Sequence, residues 1–456
     1  MHLAIPSSQR SSRAHCAHRL MGAVLLAGLA VVLAAPVGAV PARPGLYTLR
    51  SPDGQVFQAS LHGDEWHHWW QTPDGRIIEQ DPAGRYVMKG AGRPMMSPQQ
   101  AARRASARRG PQRAVPATGT GRIPVLCGNF SDTSTTYNPG DYQTLLFTGP
   151  QSMSAFYSEN SYDQFTVDAG PEGVSGWYDV SNTHDYYGTN VAENDEHPAE
   201  FVIEVVEAAD AAGFDFGPYD TDNDGYVDVV CIAHQGTDEA AGGPSTDIWS
   251  HSWDLNSASF FGDGTGEVTT SSGKKVNAYI IQPELQPNND LVTIGVYCHE
   301  YGHALGLPDF YDYTGMSQGL GDWSLMAGGG WGGGDGSMPS HMDAWCKITL
   351  GWVTPIEPTT SVFGAQLPMA EQNPVMYKVT SLAADTEYYL IENRQQTGFD
   401  AALPGEGVLI YHVDDTRTSN DNTWYPGWTS FGHYWVALEQ ADGLWQLERF
   451  WAASPP

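Results

Sequence analysis

Cysteine is scarce in this chain, with five residues in 456, and none of the five forms a CxxC pair, which excludes a zinc ribbon. Basic side chains are nearly as thin: 22 Lys and Arg stand against 53 Asp and Glu, a net charge of −31. The few cations are gathered at one end. Residues 1–113 hold 14 Lys and Arg against 6 Asp and Glu, and the remainder holds 8 against 47, so the net charges are +8 and −39. A body that acidic repels nucleic acid and anionic membranes, and suits cation binding and solubility outside the cell. Long apolar runs are missing too, apart from MGAVLLAGLAVVLAA at residues 21–35, which follows Arg10, Arg13 and Arg19. That run is short for a membrane span and precedes Val37, Gly38 and Ala39, so it reads as a signal peptide cut after Ala39, leaving an exported chain with no membrane segment. Cys16 leaves with the leader. Cys127, Cys231, Cys298 and Cys346 remain, an even set for which two disulfides in any of three connectivities are open in an oxidising compartment.

What is abundant is glycine, 51 residues, with 30 prolines, as expected of many short elements joined by turns. Residues 40–96 alternate short strands with Asp-Gly and Ala-Gly turns and predict a small all-β unit. The Arg-, Ala- and Gly-rich stretch 101–121 then reads as an accessible linker, with a processing site near Arg109 to Arg113. From Arg122 onward the pattern mixes buried strands (RIPVLCGNF, YVDVVCIAHQG, NAYIIQPEL) with helical stretches (SMSAFYSENSYDQF, and EFVIEVVEAADAAG ended by Gly213). After Trp352 it turns β-rich again. The predicted division is a signal peptide at 1–39, a propeptide and processing linker at 40–113, a catalytic domain at 114–355 and a C-terminal β-rich region at 356–456.

The stretch CHEYGHALGLPDFYD (298–312) carries the chemistry. On a helix, positions i and i+4 share a face, so His299 and His303 turn their rings to one point. Glu300 lies about 100° further round the axis, where it does not join that pair but reaches a water beside the metal, as a general base must. Gly306, with Pro308 after it, ends the helix and lets Asp309 complete the ligand set. Two imidazoles and one carboxylate leave a position open, as catalytic zinc requires. Downstream, GDWSLMAGGG (321–330) puts Met326 in a glycine-flanked turn, a candidate apolar floor beneath the metal.

HEYGHALGLPDFYD, GDWSLMAGG, DAWCKITLGW, YYLIENRQ and GVLIYHVDD together resemble the immune inhibitor A peptidases, the M6 family of secreted zinc metalloendopeptidases, over roughly residues 122–448. SPDGQVFQASLHGDEWHHWWQTPDG resembles that family's propeptide. The resemblance implies an α+β, metzincin-like zincin catalytic domain: a twisted mixed sheet whose edge strand receives an extended peptide above the HExxH helix. It also implies His299, His303 and Asp309 as zinc ligands, Glu300 as base and Met326 as the Met-turn residue. The chain stops at SPP soon after ALEQADG, where relatives usually continue, so an incomplete or minimal C-terminal region is expected.

Further candidates come from smaller signals. DTDNDGYVD (220–228) offers Asp220, Asp222, Asp224, Asp228 and the Tyr226 carbonyl to a structural calcium ion; Cys231 stands where an EF-hand needs its glutamate, so a shorter loop is expected. His412 and Tyr311 are candidate oxyanion donors, with His341 and Glu392 as reserve ligands. The propeptide keeps no cysteine once the leader is gone, which excludes a cysteine switch and leaves His62, Asp64, His67 and His68 as candidates to block the zinc, against packing among their aromatic neighbours as the other reading. The expectation is a secreted, monomeric zinc endopeptidase, made as a zymogen and acting on protein or peptide substrates. A calcium-dependent binding module without activity, and a zinc hydrolase of non-peptide bonds, remain open on the same residues.

Overall fold

Three strands, Val125–Asn129, Val230–His234 and Ala278–Pro283, are largely apolar and buried on both faces, and this decides the architecture: a sheet covered on each side. In the computed structural model, which describes residues 38–81, 85–92, 94–107, 114–190, 194–380, 386–421, 425 and 434–449, that sheet has six strands. Their order is Gly38–Ala39, His251–Asp254, Ala278–Pro283, Val230–His234, Val125–Asn129, Val174–Asp179. The last four run parallel, whereas His251–Asp254 and Gly38–Ala39 are each antiparallel to their neighbour. Period-two alternation assigns the faces. Val125, Cys127, Cys231 and Ile280 pack with Ile294, Tyr297, Cys298 and Tyr301 of the histidine helix. Leu126, Val230, Ile232 and Ile281 pack with Phe201, Val202 and Val205 of the helix Pro198–Ala211. Each such side chain taken out of water contributes about 2 kcal/mol. The helix Pro198–Ala211 starts without a side-chain cap of its own; Asp263 supplies one from a distance, accepting from Ala199 N at 2.8 Å and Glu200 N at 3.1 Å.

The predicted N-terminal β unit is a five-stranded antiparallel meander, Tyr47–Arg50, Val56–Asp64, His67–Gln71, Arg76–Gln80 and Tyr86–Ala91. The expected linker is the first correction. Residues 98–107 form a helix opened by a capping box, in which Ser97 N donates to Gln100 Oε1 at 2.7 Å and Gln100 N to Ser97 Oγ at 3.2 Å, with Pro98 in its first turn. Ala, Gln and Arg are good helix formers, and the stretch lacks only large apolar groups. Its Arg104 is buried against Asp64, at 2.6 and 2.7 Å. Ala114 and Val115 then donate to the carbonyl of Ala304 at the end of the histidine helix, so this part of the predicted linker is packed as well. The leader up to residue 37 and the processing stretch 108–113 lie outside the described residues.

The C-terminal strands Tyr377–Thr380, Glu387–Arg394, Gly407–Asp414 and Val436–Leu438 form a four-stranded antiparallel sheet. It is tied to the catalytic region by buried ions. Arg394 grips Asp400 with two hydrogen bonds, at 2.5 and 2.6 Å; Asp400 accepts from His341 N at 2.8 Å; and His341 lies between Lys347 Nζ, 3.1 Å, and Glu159, 2.9 Å. Arg394, Asp400, His341 and Lys347 are all fully buried. The four cysteines that could have formed disulfides are free and buried. Cys127 and Cys231 lie on adjacent strands but out of register, Cys231 opposite Val125 and Cys127 opposite Ala233, and serve as small core side chains.

Candidate metal centre

The histidine helix, Ile294–Ala304, is buried along its whole length and ends where Gly306 takes φ +91°, a conformation open to glycine at little cost. The turn sends Asp309 back beneath the helix. His299 Nε2 comes to 3.0 Å, and His303 Nε2 to 3.4 Å, from Asp309 Oδ1. Three donor atoms about 3.3 Å apart form the edges of a tetrahedron around an ion bound at about 2.0 to 2.1 Å.

Their outer atoms are all engaged. His299 Nδ1 bonds the carbonyl of Leu325 at 2.7 Å, His303 Nδ1 that of Leu307 at 2.8 Å, and Tyr313 donates its hydroxyl to Asp309 Oδ2. A ring whose Nδ1–H donates outward keeps the Nε2 lone pair for a metal. His299 Nε2, His303 Nε2 and Asp309 Oδ1 have no hydrogen-bond partner among the described residues although they are buried. Buried donor atoms in that state cost free energy unless something binds them, so the residues present fit a zinc ion. Burial alone would raise the Asp309 carboxyl, but the two histidines outweigh burial and hold it below the usual carboxylate range.

Glu300 is fully buried on the neighbouring face, its carboxyl pushed upward by burial first and by Asp309 second. Oε1 accepts the backbone N–H of Val40 at 2.8 Å, and Oε2 has no partner. Val40 continues the two-residue strand Gly38–Ala39, which pairs antiparallel with the sheet's edge at His251 and Ser252. The N-terminal segment therefore occupies an edge of the six-stranded sheet.

The loop after the helix seats itself on two glycines of that helix, Gly295 and Gly302, seven residues apart on one face. Gly330 meets Gly295 by its carbonyl, and a β-carbon on Gly302 would lie 2.6 Å from Met326 Sδ. This contact brings the neighbouring Leu325 carbonyl to His299 and keeps Met326 fully buried beneath the helix.

Other predicted residues lie elsewhere. Tyr311 is buried close to Asp309. His412 is on the C-terminal sheet between Glu387, 3.0 Å, and Glu439, 3.6 Å, its ring stacked on Tyr389, and is not brought to the metal cluster. His341 belongs to the buried ion network, and Glu392 accepts from Tyr411 at 2.8 Å, so neither reserve ligand is in reach. None of the four residues predicted to serve latency joins the ligand group: Asp64 holds Arg104, His67 Nε2 meets the carbonyl of Pro94, His68 faces Asp64 and Glu239, and His62 lines a cavity of about 170 Å³ between the N-terminal sheet and residues 311–328. In the acidic loop Asp220, Asp222 and Asp224 gather their carboxylates, but Asp228 turns to Thr221, and Tyr226 is drawn to Glu267 through its hydroxyl. Lys274 also reaches Asp220, at 2.5 Å.

Residues 131–353 match the family described as immune inhibitor A peptidase M6, catalytic domain. The chain is 31% identical over 246 residues to the pre-pro-metalloprotease PrtV of Vibrio cholerae serotype O1, an alignment covering 47% of this chain and 26% of that protein. It is 33% identical over 208 residues to immune inhibitor A of Bacillus thuringiensis subsp. alesti, covering 40% of this chain and 29% of that one. The chain thus spans less than a third of the length of either relative.

Proposed function

From the match of residues 131–353 to the immune inhibitor A peptidase M6 catalytic domain, we propose that the chain is a secreted zinc endopeptidase made as a zymogen. The observation that carries the reading is the trio of convergent, unpartnered donor atoms on His299, His303 and Asp309, with the free Oε2 of Glu300 beside them. Those three residues would hold zinc, which supplies Lewis-acid polarisation of the scissile carbonyl and of the attacking water. Glu300 takes a proton from that water as its oxygen bonds the carbonyl carbon. It then hands the proton to the amide nitrogen as the C–N bond breaks, giving a carboxylic acid and an amine. Its raised carboxyl suits a group that carries a proton between the two steps. The edge strand His251–Asp254 would align the substrate backbone, and Tyr311 remains the nearer of the two oxyanion candidates.

Zymogen synthesis is supported by Val40, the first residue after the expected leader cut, whose backbone nitrogen lies 2.8 Å from Glu300 Oε1 and covers the base. The relative from Vibrio cholerae is itself named a pre-pro-metalloprotease. Export rests on the apolar leader at 21–35; among the described residues no helix is long and apolar enough to cross a membrane. Calcium at Asp220, Asp222 and Asp224 is the structural half of the reading, and its ion must displace Lys274.

Hydrolysis of unfolded casein, measured after the propeptide has been clipped, tests the proposal. Activity that a zinc chelator abolishes, zinc restores and Glu300→Gln removes is the expected result. Metal binding without turnover by the clipped wild type would sink it.

A further inference from the structure

The outer oxygen of Asp309 is held by Tyr313, four residues on, whose hydroxyl donates to Oδ2 while Oδ1 turns to the two histidines. The loop that carries both residues, 309–320, has no helix or strand of its own and turns on two glycines in the left-handed region, Gly315 at φ +61° and Gly319 at φ +59°. A ligand carried on such a loop keeps its geometry only if the residues behind it are locked by packing. Here the packing comes from the N-terminal side of the chain at two points. The Arg104 guanidinium, from the helix 98–107, lies 5.0 Å from the centre of the Tyr313 ring and donates through Nη1 to the Tyr313 carbonyl at 3.1 Å. Trp69, from the strand His67–Gln71, closes on Gly315, where a β-carbon would lie 2.8 Å from Cη2 of the indole.

Arg104 is itself immobilised. It is buried, as is Asp64, and its Nη2 meets both oxygens of that carboxylate at 2.6 and 2.7 Å. One planar group thus does three things at once: Nη2 takes the acid, Nη1 takes the carbonyl, and the guanidinium covers the ring. Tyr313 has other neighbours, since its N–H donates to Asp421 Oδ1 at 3.2 Å and its ring lies 4.6 Å from that of Tyr311. Both come from beyond the metal helix and would stay when the N-terminal unit leaves. What the guanidinium adds is a hold on the carbonyl and the ring. An unbroken line of contacts, from Asp64 to Arg104 to Tyr313 to Asp309, therefore joins the N-terminal sheet to a ligand of the metal centre. The expected cut near Arg109 to Arg113 follows directly on the helix that bears Arg104.

We propose that Arg104 is a positioning residue of the metal centre: it holds Tyr313 where the hydroxyl donates to Asp309, so that the uncut chain binds its metal more tightly than it would without that grip. This rests on the metallopeptidase reading and deepens it. By reciprocity the ion strengthens the docking of the N-terminal unit by the same factor, so a metal-loaded precursor keeps that unit in place better than an empty one. Losing the helix after the cut takes the clamp off Tyr313.

The experiment uses the full uncut chain in metal-free form, titrated with cobalt(II) against a competing chelator while its visible spectrum is recorded. Wild type, Arg104→Lys, Tyr313→Phe, the two changes combined, and His299→Ala are compared. Arg104→Lys keeps a cation for Asp64, but a point charge on a flexible stem cannot also cover the ring and reach the carbonyl. The expected result is that Arg104→Lys lowers cobalt affinity by about fivefold or more and alters the ligand-field bands, while Tyr313→Phe lowers affinity by about 10- to 100-fold. In the Tyr313→Phe background Arg104→Lys should add nothing, because the hydroxyl through which it acts is gone. Should Arg104→Lys unfold the metal-free chain, Asp64→Asn with Arg104→Met, which removes both charges together, takes its place with the same expectation. Wild-type affinity and bands in the Arg104 variant, or an equal loss with and without the Tyr313 hydroxyl, would overturn the role of Arg104 alone. A wild type with no cobalt site sensitive to His299→Ala would overturn the metallopeptidase reading along with it.

Discussion

Gly302 lies between the two histidines along the helix and faces Met326, and replacing it with alanine tests how the metal site is built. The new β-carbon would lie 2.6 Å from Met326 Sδ and 3.3 Å from its Cε, inside the 3.4 Å at which ordinary contact begins. Met326 must therefore retreat by most of an ångström in a core where it is fully buried. Overpacking of that size costs about 1–3 kcal/mol. Against it, alanine in a helix interior is favoured over glycine by about 1 kcal/mol. The net expectation is a loss of about 1 kcal/mol, together with weaker zinc binding, because Leu325, whose carbonyl orients His299, precedes Met326 in the chain. In a Met326→Ala background the clash is gone and only the helix gain remains, so Gly302→Ala should stabilise by about 1 kcal/mol. Denaturant unfolding of the four metal-free proteins gives the coupling directly, at about 2 kcal/mol. If Gly302→Ala changes stability equally in both backgrounds, Met326 is not what that glycine makes room for, and the account of the loop's seating fails.

Tyr313→Phe removes the hydroxyl that Asp309 Oδ2 accepts, and zinc affinity measured by chelator competition should fall about 10- to 100-fold with the fold intact. Asp263, which caps the helix Pro198–Ala211, has a carboxyl raised by burial to about 6. The folded state therefore holds its proton above the unfolded value of about 3.9, and this group's contribution falls as pH rises from about 4 to about 6, by on the order of 2–3 kcal/mol. The stability difference between Asp263→Asn and wild type, followed by thermal unfolding across that range, should shift in favour of the variant as pH rises; a difference independent of pH counts against it. Calcium should raise the unfolding temperature, and Lys274→Ala should increase the apparent calcium affinity by removing the competing ammonium from Asp220; calorimetry showing no calcium binding in either protein removes the ion from the reading.

What was legible in the sequence is what depends on neighbours along the chain. The pairing of His299 with His303 needs only helical geometry, the exit at Gly306 needs only a glycine, and the buried strands declare themselves by unbroken apolar runs. The capping box of Ser97 and Gln100 was also local, but the absence of large apolar residues around it drew the reading toward a linker. Nothing in LHGDEWHHWW says which of its acids and histidines will find which partner. Arg104 answers for Asp64 from 40 residues away, and no sequence spacing encodes that. His412, a candidate oxyanion donor, and His341, a reserve ligand also read as structural, lie away from the cluster for the opposite reason. Each is a good ligand type in a promising strand or loop, but tertiary packing gave it to acids of the C-terminal sheet or the ion network.

The buried ions beneath the C-terminal sheet set where a gene can be trimmed. A protein ending at residue 353, the limit of the family match, would keep His341 and Lys347 but lose Arg394, Asp400 and Glu392. An ammonium built to face a cluster of opposite charge would then stand at a raw apolar surface. The catalytic half therefore cannot be excised cleanly at the boundary that sequence similarity draws, and the sheet beyond it has to be inherited with the enzyme.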